Sequence, residues 1–122
     1  MIFTESRLIV NDNSGGKRVK CLKVVNSSKS SNCKPADLIV VSIKKIRRNK
    51  NVIKGQICRG VFTRGKKKFV RFDGSTVRFT DNALVLIDKK DVPLGTRIVG
   101  LTYKEIRDKD YPKVIALAKY VI

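Results

Sequence analysis

Hydrophobic positions in this chain alternate over short stretches and seldom repeat at a helical interval. Arg7 to Val10, Lys17 to Val25, Leu38 to Arg47, Gln56 to Arg64, Phe69 to Phe72, Ser75 to Phe79 and Ala83 to Asp88 are rich in β-branched or aromatic residues. Each is bounded by Gly, Asn, Asp or Ser clusters, and this pattern predicts seven short strands. So many short strands in the first three quarters of the chain predict a closed or nearly closed barrel, a fold of mostly β class. Asn11-Asp12-Asn13-Ser14-Gly15-Gly16 and Asn26-Ser27-Ser28-Lys29-Ser30-Ser31-Asn32 punctuate the strands, because these residues accept turn conformations that strands do not. No internal repeat or linker divides the chain, so residues 1–122 read as one domain.

Asp73-Gly74 suits a two-residue turn with positive φ at both central positions. That turn pairs Phe72 with Ser75, Arg71 with Thr76, Val70 with Val77 and Phe69 with Arg78. Val70, Phe72 and Val77 then share the core face, while Arg71 and Arg78 stand together on the other. Two neighbouring arginines repel unless an anion lies between them, which makes the pair a candidate phosphate site. Phe69, on the same face, is a candidate for stacking on a base, although an aromatic in a strand more often belongs to a core. After Asp88 the pattern changes: a polar connector leads to two expected helices, Tyr103 to Asp108 and Pro112 to Ala118, the second opened by proline at its first turn. Val114, Ile115, Leu117 and Ala118 give that helix an apolar stripe to dock on the barrel. Residues 1–88 are thus the barrel with its basic loops and hairpin, and residues 89–122 the connector and short helices.

Charge sharpens the picture. Between Lys44 and Arg71 stand twelve Lys and Arg and no Asp or Glu, interleaved with Ile46, Val52, Ile53, Ile57, Val61, Phe62, Phe69 and Val70. So much charge fixed on a folded surface repels itself and calls for a polyanion, with a nucleic-acid backbone the commonest. The whole chain carries a net charge of +18, whereas Asn82 to Ile122 holds eight basic and five acidic residues, which suits a protein-contacting or structural cap. The longest apolar runs, Leu38 to Val41 and Ala83 to Ile87, are far short of the roughly 20 residues of a spanning helix.

Cys21, Cys33 and Cys58 form no Cys-x-x-Cys pair and the chain has no His, so neither a zinc site nor a Cys-His nucleophile is expected. Asp37, Asp73, Asp81 and Asp88 stand at turns or strand ends, where Asp is ordinarily structural. No catalytic residue, cofactor or metal is expected.

Several separated motifs then carry a family resemblance. Asp12-Asn13-Ser14-Gly15, Gly60-Val61-Phe62, Asp73-Gly74, Phe79, Asn82, Val85-Leu86 and Pro93-Leu94-Gly95-Thr96-Arg97-Ile98 occur in the order of the universal large-subunit ribosomal protein fourteen, which the chain resembles from Arg7-Leu8 to Ala116-Leu117-Ala118. The resemblance implies a small antiparallel barrel of the five-stranded type, a projecting basic hairpin and short C-terminal helices. It also implies a component of the large ribosomal subunit that binds large-subunit rRNA, touches small-subunit rRNA at a contact between subunits, and lies beside the nineteenth large-subunit protein. The rRNA contacts expected on this basis and from charge are Lys44, Lys45, Arg47, Arg48, Lys50, Lys54, Arg59, Arg64, Lys66, Lys67, Lys68, Arg71 and Arg78. Thr96, Arg97 and Lys113 match the surface where a ribosome-silencing factor docks. The chain departs from the family pattern at Thr63, where an aliphatic is common, at Lys119, where Pro is common, and at Ser30-Ser31-Asn32, which are usually more basic.

The segment from Met1 shows no recognisable presequence, so either the chain is made in the compartment where it works or a presequence has already gone. The Lys, Ile and Asn richness suits an A+T-rich gene. Both favour an organelle-encoded protein of the mitochondrial matrix, with a bacterial cytoplasm or another organelle as the alternative. The rival functions are a free RNA-binding or RNA-chaperone factor built on an oligonucleotide-binding barrel, and a module that meets an acidic protein. The first usually displays several aromatics on one sheet face; the second does not need twelve cations in one patch.

Overall fold

A computed structural model describes residues 6–25, 33–47, 52–109 and 111–122. Along them run β1 (Arg7–Val10), β2 (Gly16–Val24), β3 (Leu38–Ile46), β4 (Ile57–Arg64), β5 (Phe69–Val70), β6 (Thr76–Val77), β7 (Ala83–Ile87) and β8 (Ile98–Thr102). The helices α1 (Glu105–Asp108) and α2 (Pro112–Leu117) and a last strand, β9 (Ala118–Val121), complete the order. β1, β2, β3, β4 and β7 close into a barrel. The ladders are antiparallel except at the closure, where β1 runs parallel to β7 with Ile9 opposite Ala83 and Val10 opposite Leu84.

Side-chain alternation splits the apolar residues into two cores. Leu8, Val10, Val19, Ile39, Val41, Ile43, Phe62, Leu84 and Leu86 fill the barrel interior together with Cys21 and Cys58. The opposite side of β4 and β7, through Val61, Val85 and Ile87, packs against Ile98, Ile106 and Val114 from the C-terminal part. This is why Ala83 to Ile87 is an unbroken apolar run: β7 is buried on both faces. The expected stripe on α2 docks as the sequence indicates, with Val114 buried and Ile115, Leu117 and Ala118 half-buried against the same core.

Three features differ from the sequence reading. β8 and β9 pair in parallel within what reads as connector and helix end: β9 follows α2 with no turn residue between them, and β8 is interrupted by Gly100 at φ +84°, where its register with β9 shifts. The hairpin register also slips by one: Phe69 faces Val77 and Val70 faces Thr76. The loop holds three residues, Phe72, Asp73 and Gly74; the Gly74 N–H donates to the Arg71 carbonyl at 3.0 Å and the Arg71 N–H to the Ser75 carbonyl at 2.9 Å. Gly74 takes φ +88°, the left-handed position of such a loop, and the Asp73 carboxylate accepts from the Ser75 N–H and hydroxyl. A one-residue slip exchanges the faces. On β5 Phe69 therefore joins Val77, which keeps its expected place toward the core, whereas Val70 and Phe72 are exposed. Finally, the hairpin does not stand free, because Arg71 straps it to the C-terminal part: its guanidinium reaches Glu105 at 2.7 Å and the Ile122 carbonyl at 2.6 Å.

The two glycine-bearing motifs at either end of the sequence clasp each other. Asn13 Oδ1 accepts from the backbone N–H groups of Thr96 at 2.7 Å and Arg97 at 3.2 Å, and its amide donates to the Thr96 hydroxyl at 2.7 Å. Gly95 is required there, since a Cβ would lie 2.6 Å from Asn13 Oδ1 and 3.1 Å from the Ser14 nitrogen. Beside the clasp, buried Asp12 accepts from the Ser14 N–H at 3.1 Å, the Ser14 hydroxyl at 2.5 Å and the Leu86 N–H at 3.2 Å.

Burial pushes the Asp12 carboxyl up, against the lowering pull of its bonds from Ser14 and Leu86 and of the Arg47 charge. A raised carboxyl binds its proton more tightly in the fold than in the unfolded chain. The stability it contributes is full below the ordinary value of about 3.9 and is lost as pH rises through the folded value. Asp12→Asn carries no titrating proton and turns an amide donor toward one of these N–H groups, so it is expected to cost about 1–2 kcal/mol. Measured by urea denaturation, that deficit should shrink as pH rises above about 4. A deficit that stayed constant as pH rose would show that Asp12 ionises in the fold as it does in the unfolded chain.

Candidate nucleic-acid interface

Charge and alternation act together on β2. Val19, Cys21 and Val24 point into the barrel, which leaves Lys17, Arg18, Leu22 and Lys23 on the outer wall. The β2–β3 ladder places Arg18 directly opposite Lys45, and register shifts on either side of this pair leave Lys17 and Lys44 as extra residues beside it. Bulges of this kind re-aim side chains and sharpen the twist, and here all four cations are exposed. Arg47 joins them, its N–H held by the Gly15 carbonyl at 2.8 Å.

Like charges directly opposite each other weaken a sheet unless an anion lies between them. Neither Arg18 nor Lys45 makes an ion pair among the described residues. The sole described carboxylate between Lys17 and Arg47, Asp37, is buried and bound to Lys109 at 2.9 Å. At Lys17, Arg18, Lys44, Lys45 and Arg47 this wall is thus positive without an ion pair among the described residues. It contains Lys17 and Arg18, which sequence reasoning missed because their weight comes from the ladder partner. Arg18 and Lys20 alternate with buried Val19 and Cys21, and that period-two pattern was the available signal.

The sequence-expected contacts divide into distinct groups. Lys44, Lys45, Arg47, Lys54, Lys66, Lys67, Lys68 and Arg78 are exposed and make no ion pair among the described residues. Arg59, Arg64 and Arg71 are neutralised within the protein, by Asp91 at 3.2 Å, Asp81 at 3.3 Å and Glu105 at 2.7 Å. Arg48 and Lys50 lie outside the described residues.

The proposed pairing of Arg71 with Arg78 around an anion is corrected by the register: Arg71 sits beside Ser75 and is spent on Glu105 and Ile122. Phe69, a stacking candidate in the sequence, packs edge-on to Tyr103 at 6.0 Å between ring centroids. Phe72 at the hairpin tip is instead the fully exposed aromatic.

Thr96 and Arg97 are fixed by the Asn13 clasp, with the Arg97 side chain exposed. Lys113 lies exposed in the first turn of α2. Its charge helps to hold Asp88 below the usual carboxylate range, after the larger effect of the Val92 N–H. Thr63, where the chain departs from the family pattern, is buried and donates to Asn11 Oδ1 at 3.2 Å and the Ala83 carbonyl at 3.3 Å, so a hydroxyl is accommodated at that position.

Among the described residues no helix is long and apolar enough to cross a membrane, and no three potential metal ligands converge. What the surface offers is a barrel wall whose exposed cations at Lys17, Arg18, Lys44, Lys45 and Arg47 make no ion pair among the described residues, and on the other side an ion-paired, nearly neutral cap. The sequence profile of the family described as ribosomal protein L14p/L23e matches residues 1–122, and the chain therefore belongs to that family of structural, non-enzymatic proteins of the large ribosomal subunit.

Proposed function

We propose that this chain binds large-subunit rRNA through the β2–β3 wall and the exposed lysines after β4, and that as one body it contributes to a contact with the small subunit. The observation that carries this reading is the Arg18–Lys45 pair flanked by Lys17, Lys44 and Arg47, a cluster whose repulsion a phosphate backbone relieves. Arg47 and Arg18 can each hold two phosphate oxygens with one planar fork, while the lysines act as point charges. Lys54, Lys66, Lys67, Lys68 and Arg78 extend the contact, and the A-form shape and single-stranded junctions of rRNA determine the register. Arg59, Arg64 and Arg71 serve the fold first.

The nearly neutral C-terminal part is the side for protein partners. Thr96, Arg97 and Lys113 offer a docking surface for a silencing factor, and the nineteenth large-subunit protein is the neighbour the family resemblance implies. The working compartment in this proposal is the mitochondrial matrix.

Sedimentation tests the reading. Tagged chain in a mitochondrial extract is expected to co-migrate with the large subunit through a sucrose gradient at moderate salt and to leave it steeply at high salt, as phosphate contacts are screened. Recovery at the top of the gradient at moderate salt would favour a free RNA-binding factor instead.

A further inference from the structure

A cavity of about 180 Å³ opens at the end of the barrel beside Lys66, Lys67 and Lys68. Of its aromatic lining Phe69 is the partly exposed ring; it is braced from beneath by buried Tyr103 at 6.0 Å, which in turn lies 6.3 Å from buried Phe62 and 5.0 Å from Phe79. Lys34, Lys67 and Lys68 line it, with no carboxylate among the described lining residues. Asn82 also lines it; Asn82 Oδ1 accepts the Lys66 N–H at 2.9 Å, which orients the amide and leaves Nδ2 as an unspent donor.

Size and charge narrow the occupant. The volume is below the roughly 300–1,000 Å³ of ordinary small-molecule pockets, so it suits a single planar ring system. A neighbouring groove between the hairpin and α1 makes the contrast: there Lys34, Arg71 and Lys104 are balanced by Asp73, Glu105 and Asp108, leaving no net charge to attract a phosphate. The smaller cavity instead sets Lys67 and Lys68, which line it and not the groove, beside the Phe69 ring with no carboxylate among its described lining residues. Unpaired bases of RNA stack on aromatic rings while their phosphates follow basic side chains.

We infer that this cavity receives one unpaired nucleobase of large-subunit rRNA, with the flanking phosphates on Lys67 and Lys68. The inference rests on the rRNA-binding reading above but adds a site that the barrel wall does not require.

The test uses assembled large subunits carrying the photoreactive substitution Lys34→p-benzoylphenylalanine at the rim. Irradiation is expected to link the chain to rRNA at one nucleotide, mapped by reverse-transcription stops and found unpaired by chemical probing of the same subunits. Adding Phe69→Leu, which keeps an apolar side chain but removes the ring, should reduce that link about fivefold or more while the chain still sediments with the subunit. Links to base-paired nucleotides, or a signal indifferent to Phe69→Leu, would overturn the cavity assignment and leave rRNA binding by the wall intact. A link to a neighbouring protein would overturn it in favour of a side-chain occupant. Absence of the unsubstituted chain from large subunits would sink both readings together.

Discussion

Replacing Lys17, Arg18, Lys44 and Lys45 together by alanine is expected to weaken binding to large-subunit rRNA by about 100- to 1,000-fold at physiological salt, as four phosphate contacts are lost. Their exposure, and the absence of ion pairs to Arg18 and Lys45 among the described residues, mean that little of their charge is spent on described partners inside the protein. Each contact to a phosphate releases a counterion, so the slope of log affinity against log salt should flatten by about 3. Filter binding to a large-subunit rRNA transcript across a salt series reads both quantities. The fold should not suffer, because removing like charges that face each other across a ladder relieves repulsion. Arg59→Ala is the control: Arg59 is paired with Asp91, so its loss should flatten the slope by less than one contact. An unchanged slope in the fourfold variant would move the interface off the β2–β3 wall.

The barrel was legible because its strands report themselves locally. β1, β2, β3, β4 and β7 fall where alternation and flanking turn residues place them, and the double burial of β7 is written in its unbroken run of apolar side chains. The hairpin was not, since Asp73-Gly74 suits a two-residue turn as well as the last two positions of a three-residue loop. What decides is the fit of Phe69 and Val77 against Tyr103 and the core, a contact remote in sequence.

The same limit applied to the site. A run of cations is visible in composition, but which of them are free depends on carboxylates brought up by the fold: Asp91 for Arg59, Asp81 for Arg64, Glu105 for Arg71. Arg18 gained its weight from register with Lys45, on a strand 27 positions away. Asn13 and Thr96 belonged to separate motifs in the sequence, and only the fold reveals that the two motifs are halves of one clasp.

Arg71→Ala should lower stability without weakening the RNA contact, the reverse of the wall variant. Arg71 is largely buried and bridges three chain segments, from the hairpin to Glu105 in α1 and to the Ile122 carbonyl beyond β9. Truncation leaves Glu105 a half-buried carboxylate without its partner, and an orphaned charge costs more than the intact pair gains. The expected loss is about 2–3 kcal/mol, the range for charged hydrogen bonds at partly buried positions. Thermal melting should fall by roughly 6–15 °C for a chain of this size. Glu105→Leu in the same chain should recover a large part of that loss, because it removes the stranded charge and supplies apolar surface. The double-mutant cycle then gives the coupling between the two residues directly. The rRNA salt slope should stay within about half a contact of the unsubstituted protein, since this guanidinium is already spent. A slope that fell by a full contact, with the melting temperature unmoved, would return Arg71 to the RNA interface and leave the hairpin free of its strap.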